Sequence, residues 1–230
     1  MAKEKIREVR KGDFIRIDYT GKLEDGAVFD TTDEELAKKA GLHRQGAMYG
    51  PVTIRLGEGH VLKGLDEALE GAVVGTHTVV LPPEKAFGKK DARLIQLVAT
   101  QKFKKQKINP MPGLQVNVDG TMGVIKNVSG GRTLVDFNHP LSGRKVAYDV
   151  TIHEVVEDAA KQVEAVVDLA LGQNASVEYD AGAATVTSRI PLPDTMKAEL
   201  KNRIVEQVKD VKSVKFQVEK RGQADSGQQK

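Results

Sequence analysis

Alternating apolar and polar residues define the strands in the N-terminal part of the chain. Residues 13–19 (DFIRIDY) place alternate residues on one apolar face, which predicts a β-strand. The Asp25-Gly26 pair predicts a hairpin turn, and the return strand begins at 27–30 (AVFD). Because the same alternation recurs at 51–56 and at 145–155, we expect the late strand to join the sheet of the early ones.

Between Gly57 and Gly71 the apolar spacing changes to that of a helix, which predicts one short helix packed on the sheet. Its apolar positions are Val61, Leu62, Leu65, Ala68 and Leu69. A second short helix is predicted over 31–41, where a threonine cap precedes early acids and late lysines. Residues 78–81 (TVVL) predict a strand that leads through two prolines to the corner at 86–88 (AFG).

Beyond Lys89 the pattern changes to short β-runs separated by turns. Three runs at 116–118, 123–125 and 133–135 predict strands, and Asp119-Gly120 and Gly130-Gly131 between them predict turns. We interpret this stretch as a small β-rich unit of roughly fifty residues, inserted between two parts of another domain.

The rest of the chain predicts a third unit with the element order αββαβ. Residues 157–171 predict an amphipathic helix, 176–190 a hairpin and 214–218 a last strand. Asp194 is expected to cap the second helix. The predicted apolar face of that helix consists of Met196, Leu200, Ile204, Val205 and Val208.

Composition narrows the classes of function. With 230 residues the chain is long enough for two or three small domains, and the absence of cysteine excludes disulfides, thiolate metal sites and a cysteine nucleophile. Its 29% of charged residues sum to only +3 without a mixed basic and aromatic patch, so no nucleic-acid partner is expected. No signal peptide and no membrane-length apolar run is visible, so we expect a soluble, cytoplasmic protein without a membrane partner.

Candidate motifs for cofactor or metal chemistry have ordinary structural explanations. The glycines at 57, 59 and 64 match neither the dinucleotide fingerprint nor the P-loop, and helix-entry turns explain them better. The five histidines are scattered without an i, i+4 pair, and the lysine-rich stretch 102–107 is best explained as a solvated face. The sequence therefore predicts no cofactor and no metal.

A set of apolar residues on separate elements remains, with Asp30 directly after Phe29 and with Phe87 after the proline-rich turn. One interpretation is an ordinary core between helix and sheet, which fits each residue taken singly. The other is a pocket, because a core anchor is not required at the end of such a turn. The residues alone leave both interpretations open.

Several motifs together resemble the FKBP family of peptidyl-prolyl cis-trans isomerases. They are Phe29-Asp30, the segment 56–69 (LGEGHVLKGLDEAL), Pro83 with 86–88, and Tyr148-Asp149-Val150. The segment 137–143 (FNHPLSG) resembles the end of the insert-in-flap domain of the SlyD-like branch, and the αββαβ unit is similar to that of archaeal long-type members. The resemblance implies an α+β fold in which an antiparallel half-barrel sheet wraps one short helix.

Domain boundaries follow from the same resemblance. The isomerase domain is expected at 1–88 and 137–156, and the insert-in-flap chaperone domain at 89–136. A C-terminal α+β domain is expected at 157–221, followed by a disordered tail at 222–230.

Position by position, the resemblance implies an apolar prolyl pocket. Its catalytic residues would be Tyr19, Phe29, Asp30, Val61, Leu62, Leu65, Phe87 and Tyr148. Leu62 would donate its backbone N–H to a substrate carbonyl, and Asp30 would supply the polar group at the rim. Leu65 and Phe87 stand where many members have Trp and Tyr, which favours weak over tight macrolide binding.

The insert carries more apolar residues than so small a unit readily buries, which suits binding of unfolded chain. Its candidate client-binding residues are Leu94, Ile95, Val98, Phe103, Ile108, Met122 and Ile125. For any one of them, packing in the insert's own core is an equal alternative. The expected partners are unfolded or nascent polypeptides with X-Pro bonds, and the alternative function is a non-catalytic interaction module. The strand at 214–218 is expected to offer an edge for a homodimer.

Overall fold

The structure is a computed structural model that describes residues 7–219, without the side chain of Gln173. By their contacts the described residues form two compact units, 7–79 with 147–219 and 80–146. The C-terminal segment thus belongs to the same unit as the first strands. The predicted domain boundaries stay a prediction, and the predicted tail at 222–230 lies outside the described residues.

The helices and strands follow the predicted order closely. The strands are β1 (Phe14–Leu23), β2 (Val28–Thr31), β3 (Val52–Arg55), β4 (Gly75–Leu81), β5 (Ile95–Ala99), β6 (Gln115–Val118), β7 (Thr121–Ser129), β8 (Arg132–Asp136), β9 (Val146–Val156), β10 (Ala175–Asp180), β11 (Ala183–Ser188) and β12 (Ser213–Val218). The helices are α1 (Glu34–Lys39), α2 (Lys63–Leu69), α3 (Thr100–Lys105), α4 (Ala159–Leu171) and α5 (Asp194–Gln207).

One sheet organises the first unit, with the strand order β2-β1-β9-β4 and β3 paired antiparallel with β1. The predicted return of the late strand is confirmed, because β9 lies beside β1. Along β1, alternation buries Ile15 and Ile17 on one face. Phe14 is 2% exposed and joins the core of the C-terminal helices instead.

Two details of the predicted helices of this unit are wrong. The cap of α1 is Asp33, whose carboxylate accepts a hydrogen bond from the backbone N–H of Leu36 at 2.9 Å, and not a threonine. Helix α2 begins only at Lys63, so Val61 precedes it, and Ala68 is exposed. The buried face of α2 is therefore narrower than the apolar pattern suggested.

The second unit contains the insert, a sheet with the order β5-β8-β7-β6 and the short helix α3. Its core consists of Phe103, Val116, Ile125 and Val135, all at most 3% exposed. Thr100 and Thr133 share a buried hydrogen bond of 3.0 Å beside this core. The predicted β-rich unit is thus present, with one helix that the lysine-rich pattern did not reveal.

The C-terminal part has the predicted order αββαβ. Strands β10 and β11 form the expected hairpin, and β12 pairs parallel with β11 at the edge of the sheet. Pro193 occupies the cap position of α5, and Asp194 is its first helical residue, so the predicted aspartate cap is wrong. Met196 and Val205 are exposed, which leaves a buried face of Leu200, Ile204 and Val208.

Within residues 7–219, no helix is long and apolar enough to cross a membrane.

Candidate functional site

Three aromatic rings from neighbouring strands of the first unit lie in contact. The ring centroid of Tyr148 on β9 is 6.0 Å from that of Tyr19 on β1 and 5.6 Å from that of Phe29 on β2. The Phe29 and Tyr148 rings meet edge to face at 90°, the geometry that aromatic quadrupoles favour. Because the strand order is β2-β1-β9, the sheet itself brings these rings together. We call this set the aromatic wall.

Gly21 on β1 makes the aromatic wall possible. A Cβ atom at this position would lie 2.7 Å from Cζ of Phe29 and 3.0 Å from Cε1 of Tyr148, closer than side chains tolerate. The two rings therefore pack directly over the glycine backbone. Sequence reasoning missed Gly21, although a glycine inside a predicted strand is itself a signal of close approach.

Asp30 adds a carboxylate at the end of the aromatic wall. Burial, then the charge of Asp30 and a hydrogen bond with its carboxylate, raises the pKa of the Tyr19 hydroxyl to about 12. Burial raises the pKa of Asp30 itself above its ordinary value, opposed by hydrogen bonds from Tyr19 and Thr31 and by the charge of Arg44. Burial and the charge of Asp30 also raise the pKa of Tyr148. Both phenols are thus neutral donors near neutral pH, next to one carboxylate.

Threonine hydroxyls hold the backbone around Tyr19. The hydroxyl of Thr32 accepts a hydrogen bond from the Tyr19 N–H at 3.1 Å and donates to the Asp18 carboxylate at 2.7 Å. Thr20 and Thr31 share a further hydrogen bond of 2.9 Å between β1 and β2. These bonds fix the strand positions from which Tyr19 and Asp30 project.

The predicted pocket residues of the helical segment lie at the start of α2. Leu65 is 1% exposed, whereas Val61 and Leu62 are half-buried. The carbonyl of Leu62 accepts hydrogen bonds from the N–H groups of Leu65 and Asp66, at 2.8 and 3.0 Å. The Asp66 carboxylate in turn accepts from the Gly59 N–H at 3.1 Å, which ties the approaching loop to the helix. Sequence reasoning missed this anchoring role of Asp66.

Phe87 belongs to the second unit, where the FNHPLSG segment holds it. Its ring stacks on the imidazole of His139 with a centroid distance of 4.6 Å and an interplanar angle of 2°. Ser142 donates from its hydroxyl to the Phe87 carbonyl at 3.0 Å, and the Gly143 N–H donates to the Gly88 carbonyl at 2.8 Å. The FNHPLSG segment therefore has a structural role, because its hydrogen bonds hold the Phe87-Gly88 corner in place.

Asn138 of the same segment closes the base of the insert. Its side chain accepts from the Asp91 N–H at 2.8 Å and donates to the Asp91 carbonyl at 3.0 Å. Burial opposes ionisation of the neighbouring Asp136, but hydrogen bonds from Asn138 and the charge of Lys90 lower its pKa overall. The two chain segments that enter and leave the insert are thus joined by side-chain bonds.

The candidate client-binding residues divide between surface and core. Leu94, Ile95 and Met122 are 40%, 37% and 57% exposed. Phe103 and Ile125 form the core of the insert, and Val98 and Ile108 pack against it, so these four support a surface rather than present one. Two further apolar residues of the insert are exposed: Leu97 at 60%, which sequence reasoning missed, and Met111 at 53%.

No group of three or more histidine, aspartate or glutamate side chains within residues 7–219 is arranged to hold a metal ion.

Comparison with known proteins gives the family. The model of FKBP-type peptidyl-prolyl cis-trans isomerases matches residues 5–106, and a model described as the IF domain of FKBP26 matches residues 96–141. The short-type peptidyl-prolyl cis-trans isomerase of Methanocaldococcus jannaschii is 33% identical over 151 residues, which cover 65% of this chain and 96% of that protein. The chain belongs to the FKBP-type peptidyl-prolyl cis-trans isomerases.

Other members of the FKBP-type isomerases match over a similar length. The FKBP-type 16 kDa peptidyl-prolyl cis-trans isomerase of Escherichia coli K12 is 30% identical over 152 residues, covering 64% of this chain and 93% of that protein. A crystal structure of the three FKBP domains of wheat FKBP73 aligns with 67% of this chain and 43% of that chain, at 20% identity. Its TM-score of 0.36 is too low to establish an architecture.

Proposed function

We propose that this FKBP-type isomerase accelerates cis-trans rotation of X-Pro bonds by holding the prolyl ring against the aromatic wall. The observation that supports the proposal is the packing of Phe29 and Tyr148 over the bare backbone of Gly21, beside the carboxylate of Asp30. This arrangement offers an apolar aromatic surface with one polar edge. It matches a proline ring, which is apolar, joined to an amide, which is polar.

Removal of water is the source of the acceleration in this proposal. Rotation about an amide bond faces a barrier of roughly 18–20 kcal/mol because the C–N bond has partial double-bond character. Water bonded to the carbonyl favours the charge-separated resonance form, whereas an apolar surface favours the twisted amide. Lowering the barrier by about 7 kcal/mol gives an acceleration of about 10⁵-fold, and no nucleophile or proton relay is required.

The polar groups orient the substrate. The backbone N–H of Leu62, before α2, is proposed to donate to a substrate carbonyl. Asp30 is proposed to interact with the polar edge of the twisted amide, with Tyr19 as its neutral hydrogen-bonding neighbour. Leu65 and Phe87 are proposed as further apolar surface. Neither side chain can donate a hydrogen bond, so macrolide binding is proposed to be weak.

A protease-free isomerisation assay on a short X-Pro peptide tests the activity. The native chain is expected to exceed the background rate clearly. Tyr19→Ala, Asp30→Ala and Phe87→Ala should each lower kcat/KM by about tenfold or more, as losses of transition-state contacts do. Glu199→Ala, on the exposed face of α5, serves as the control and should change nothing. A native rate equal to background would favour the non-catalytic interaction module instead.

We further propose that the insert binds unfolded segments and supplies their prolines to the catalytic residues. The exposed apolar side chains of the insert support this, because two of the largest, Met111 and Met122, are flexible and polarisable. Tethered binding raises the effective concentration of the substrate without any new catalytic contact. The physiological substrates are accordingly proposed to be unfolded or nascent polypeptides in the cytoplasm.

Dimerisation through β12 is a separate proposal. This strand lies at the edge of its sheet, and Val218 on it is 48% exposed. Light scattering of the native chain and of Val218→Pro, which removes an N–H on the open side of β12, tests it. A native mass of two chains that falls to one in the variant is expected, and a native monomer would contradict the proposal.

A further inference from the structure

A cavity of about 650 Å³ adjoins the aromatic wall within the first unit. Tyr19, Phe29 and Asp30 form part of its lining, and the loop at 42–51 and helix α4 form other parts. The loop is held in place by Tyr49, whose hydroxyl accepts from the Arg44 N–H at 3.0 Å and whose ring stacks on His43. The volume lies within the range of about 300–1,000 Å³ that is usual for ligand sites.

Helix α4 presents a second stripe of residues to this cavity. The stripe has the helical spacing i, i+3, i+4, i+7, i+8 and consists of Lys161, Glu164, Ala165, Asp168 and Leu169. The other stripe, which includes Val163, Val166 and Val167, packs in the core. The C-terminal part of the chain thus contributes side chains to a cavity that also contains three candidate catalytic residues.

In the part of the chain that the structure describes, only some of the charged side chains that line the cavity form an ion pair with a side chain of opposite charge. Arg16 on β1 pairs with Glu154 on β9 at 3.9 Å, and the charge of Arg44 partly opposes the burial that raises the pKa of Asp30. Within residues 7–219 no cationic side chain forms an ion pair with Glu164 or Asp168. Burial, and then the charge of Glu164, raises the pKa of Asp168.

Glu164 and Asp168 are four residues apart on α4, so their like charges lie close together on one face of the helix. Like charges at i and i+4 destabilise a helix by about 0.2–0.5 kcal/mol. A cation between them would remove that repulsion. With Lys161 as the one cation of the α4 stripe, its two carboxylates leave a net charge of −1 on this side of the cavity.

We propose that this cavity binds the part of the polypeptide substrate that flanks the prolyl bond, and that Glu164 and Asp168 select a basic side chain there. The inference rests on the proposed function, since it places the prolyl ring at the aromatic wall. Because the wall and the cavity share Tyr19 and Phe29, with Asp30 beside them, residues next to the proline lie within reach of the cavity. Leu169 and Met48 offer apolar contact to the stem of a lysine or arginine side chain.

Peptides that differ in one charge test the proposal. Each of three peptide series uses one residue, Lys, Gln or Glu, and places it in turn at each of the three positions before and the three positions after the proline. The kcat/KM of the full-length protein is measured for every peptide. At one or more positions the Lys peptide should exceed the Glu peptide by about two- to fivefold, the size expected of a partly exposed ion pair. The ratio should shrink as salt is added.

Matched variants assign the preference to α4. Glu164→Gln with Asp168→Asn should bring the Lys to Glu ratio close to one, and Asp168→Lys should reverse the ratio. The control, Glu199→Gln with Glu206→Gln, removes two exposed acids from α5 and should keep the native ratio. A native ratio of one, or a ratio that survives the α4 substitutions, would overturn this inference while turnover of the Gln peptide upholds the proposed function. Absence of turnover on every peptide would overturn both.

Discussion

The Tyr19 hydroxyl and the Asp30 carboxylate form the polar edge of the candidate site, and their ionisation differs from that of free side chains. Burial raises the pKa of Tyr19 to about 12 and raises that of Asp30 above its ordinary value. Both shifts favour the neutral form. The tyrosine therefore stays neutral in the physiological range, whereas the aspartate takes up a proton at a higher pH than a free aspartate would.

A pH profile of kcat/KM follows from these directions. Activity is expected to be flat from about pH 6 to about pH 9, since neither Tyr19 nor Tyr148 ionises there. As pH falls, protonation of Asp30 should lower activity, beginning above the ordinary aspartate pKa of about 3.9. The profile of Asp30→Asn should be low and lack this acid limb. Asp180→Asn, in an exposed hairpin, should keep it, and an acid limb that persists in Asp30→Asn would assign the titration elsewhere.

Gly21 offers a test of the aromatic wall that alters no functional group. Gly21→Ala adds a methyl group 2.7 Å from the Phe29 ring, so both rings must move. We expect a loss of about 1–3 kcal/mol in unfolding free energy and about a tenfold loss of kcat/KM on a short peptide. Gly123→Ala is the matched control, because its added Cβ would lie 2.6 Å from Val135 in the insert. It should destabilise the insert yet leave peptide isomerisation within about twofold, and equal losses in both variants would contradict the role of Gly21.

At the residue scale, the sequence indicated which residues belong to the candidate site better than it indicated which residues contact one another. The strand pattern and the resemblance named Tyr19, Phe29, Asp30 and Tyr148, and these do lie together. Gly21 escaped notice because its importance lies in what packs over it, which depends on strand order. His139 escaped for a similar reason, since its stacking on Phe87 joins residues more than fifty positions apart.

Among the elements, the insert is where the hydrophobic pattern least distinguishes buried side chains from exposed ones. Its strands are short, and the pairing of β7 with β8 shifts register between Ile125 and Asn127. Met122 and Ile125 both precede this shift and, three residues apart on β7, occupy opposite faces, whereas Phe103 lies on α3. The apolar pattern alone did not separate Phe103 and Ile125, which are buried, from Met122, which is 57% exposed.

The exposed apolar residues of the insert allow a sharper test than its removal. Leu97→Ser with Met122→Ser should leave kcat/KM on a short peptide within about twofold, because the catalytic residues are untouched. The same variant should slow catalysis of proline-limited refolding of an unfolded protein by about tenfold, since tethering contributes most of the effective concentration. Met196→Ser with Val205→Ser, which changes two exposed apolar residues of α5, is the control and should refold clients as the native chain does. If the insert variant catalysed refolding at the native rate, the proposed role of this surface would be wrong.

At the scale of the whole molecule, sequence and structure differ mainly in whether the C-terminal part has a hydrophobic core of its own. The order αββαβ looked complete in itself and suggested an independent C-terminal domain. Its core, however, includes Phe14 from β1 and Val156 from the end of β9. The first strand thus serves two cores at once, with Ile15 and Ile17 on one face and Phe14 on the other. Strand alternation assigned Phe14 to a face but did not reveal what covers that face.

This shared core predicts that the isomerase sheet and the C-terminal helices unfold together. Phe14→Ala should cost about 3–5 kcal/mol, the usual range for a buried phenylalanine, and should lower amide exchange protection equally in β1 and in α5. Phe103→Ala, in the core of the insert, is the matched control and should lower protection in the insert only. Hydrogen exchange measured separately for each segment distinguishes joint unfolding from independent unfolding. Native protection of α5 in Phe14→Ala, with loss confined to β1, would instead make the C-terminal part an independent folding unit.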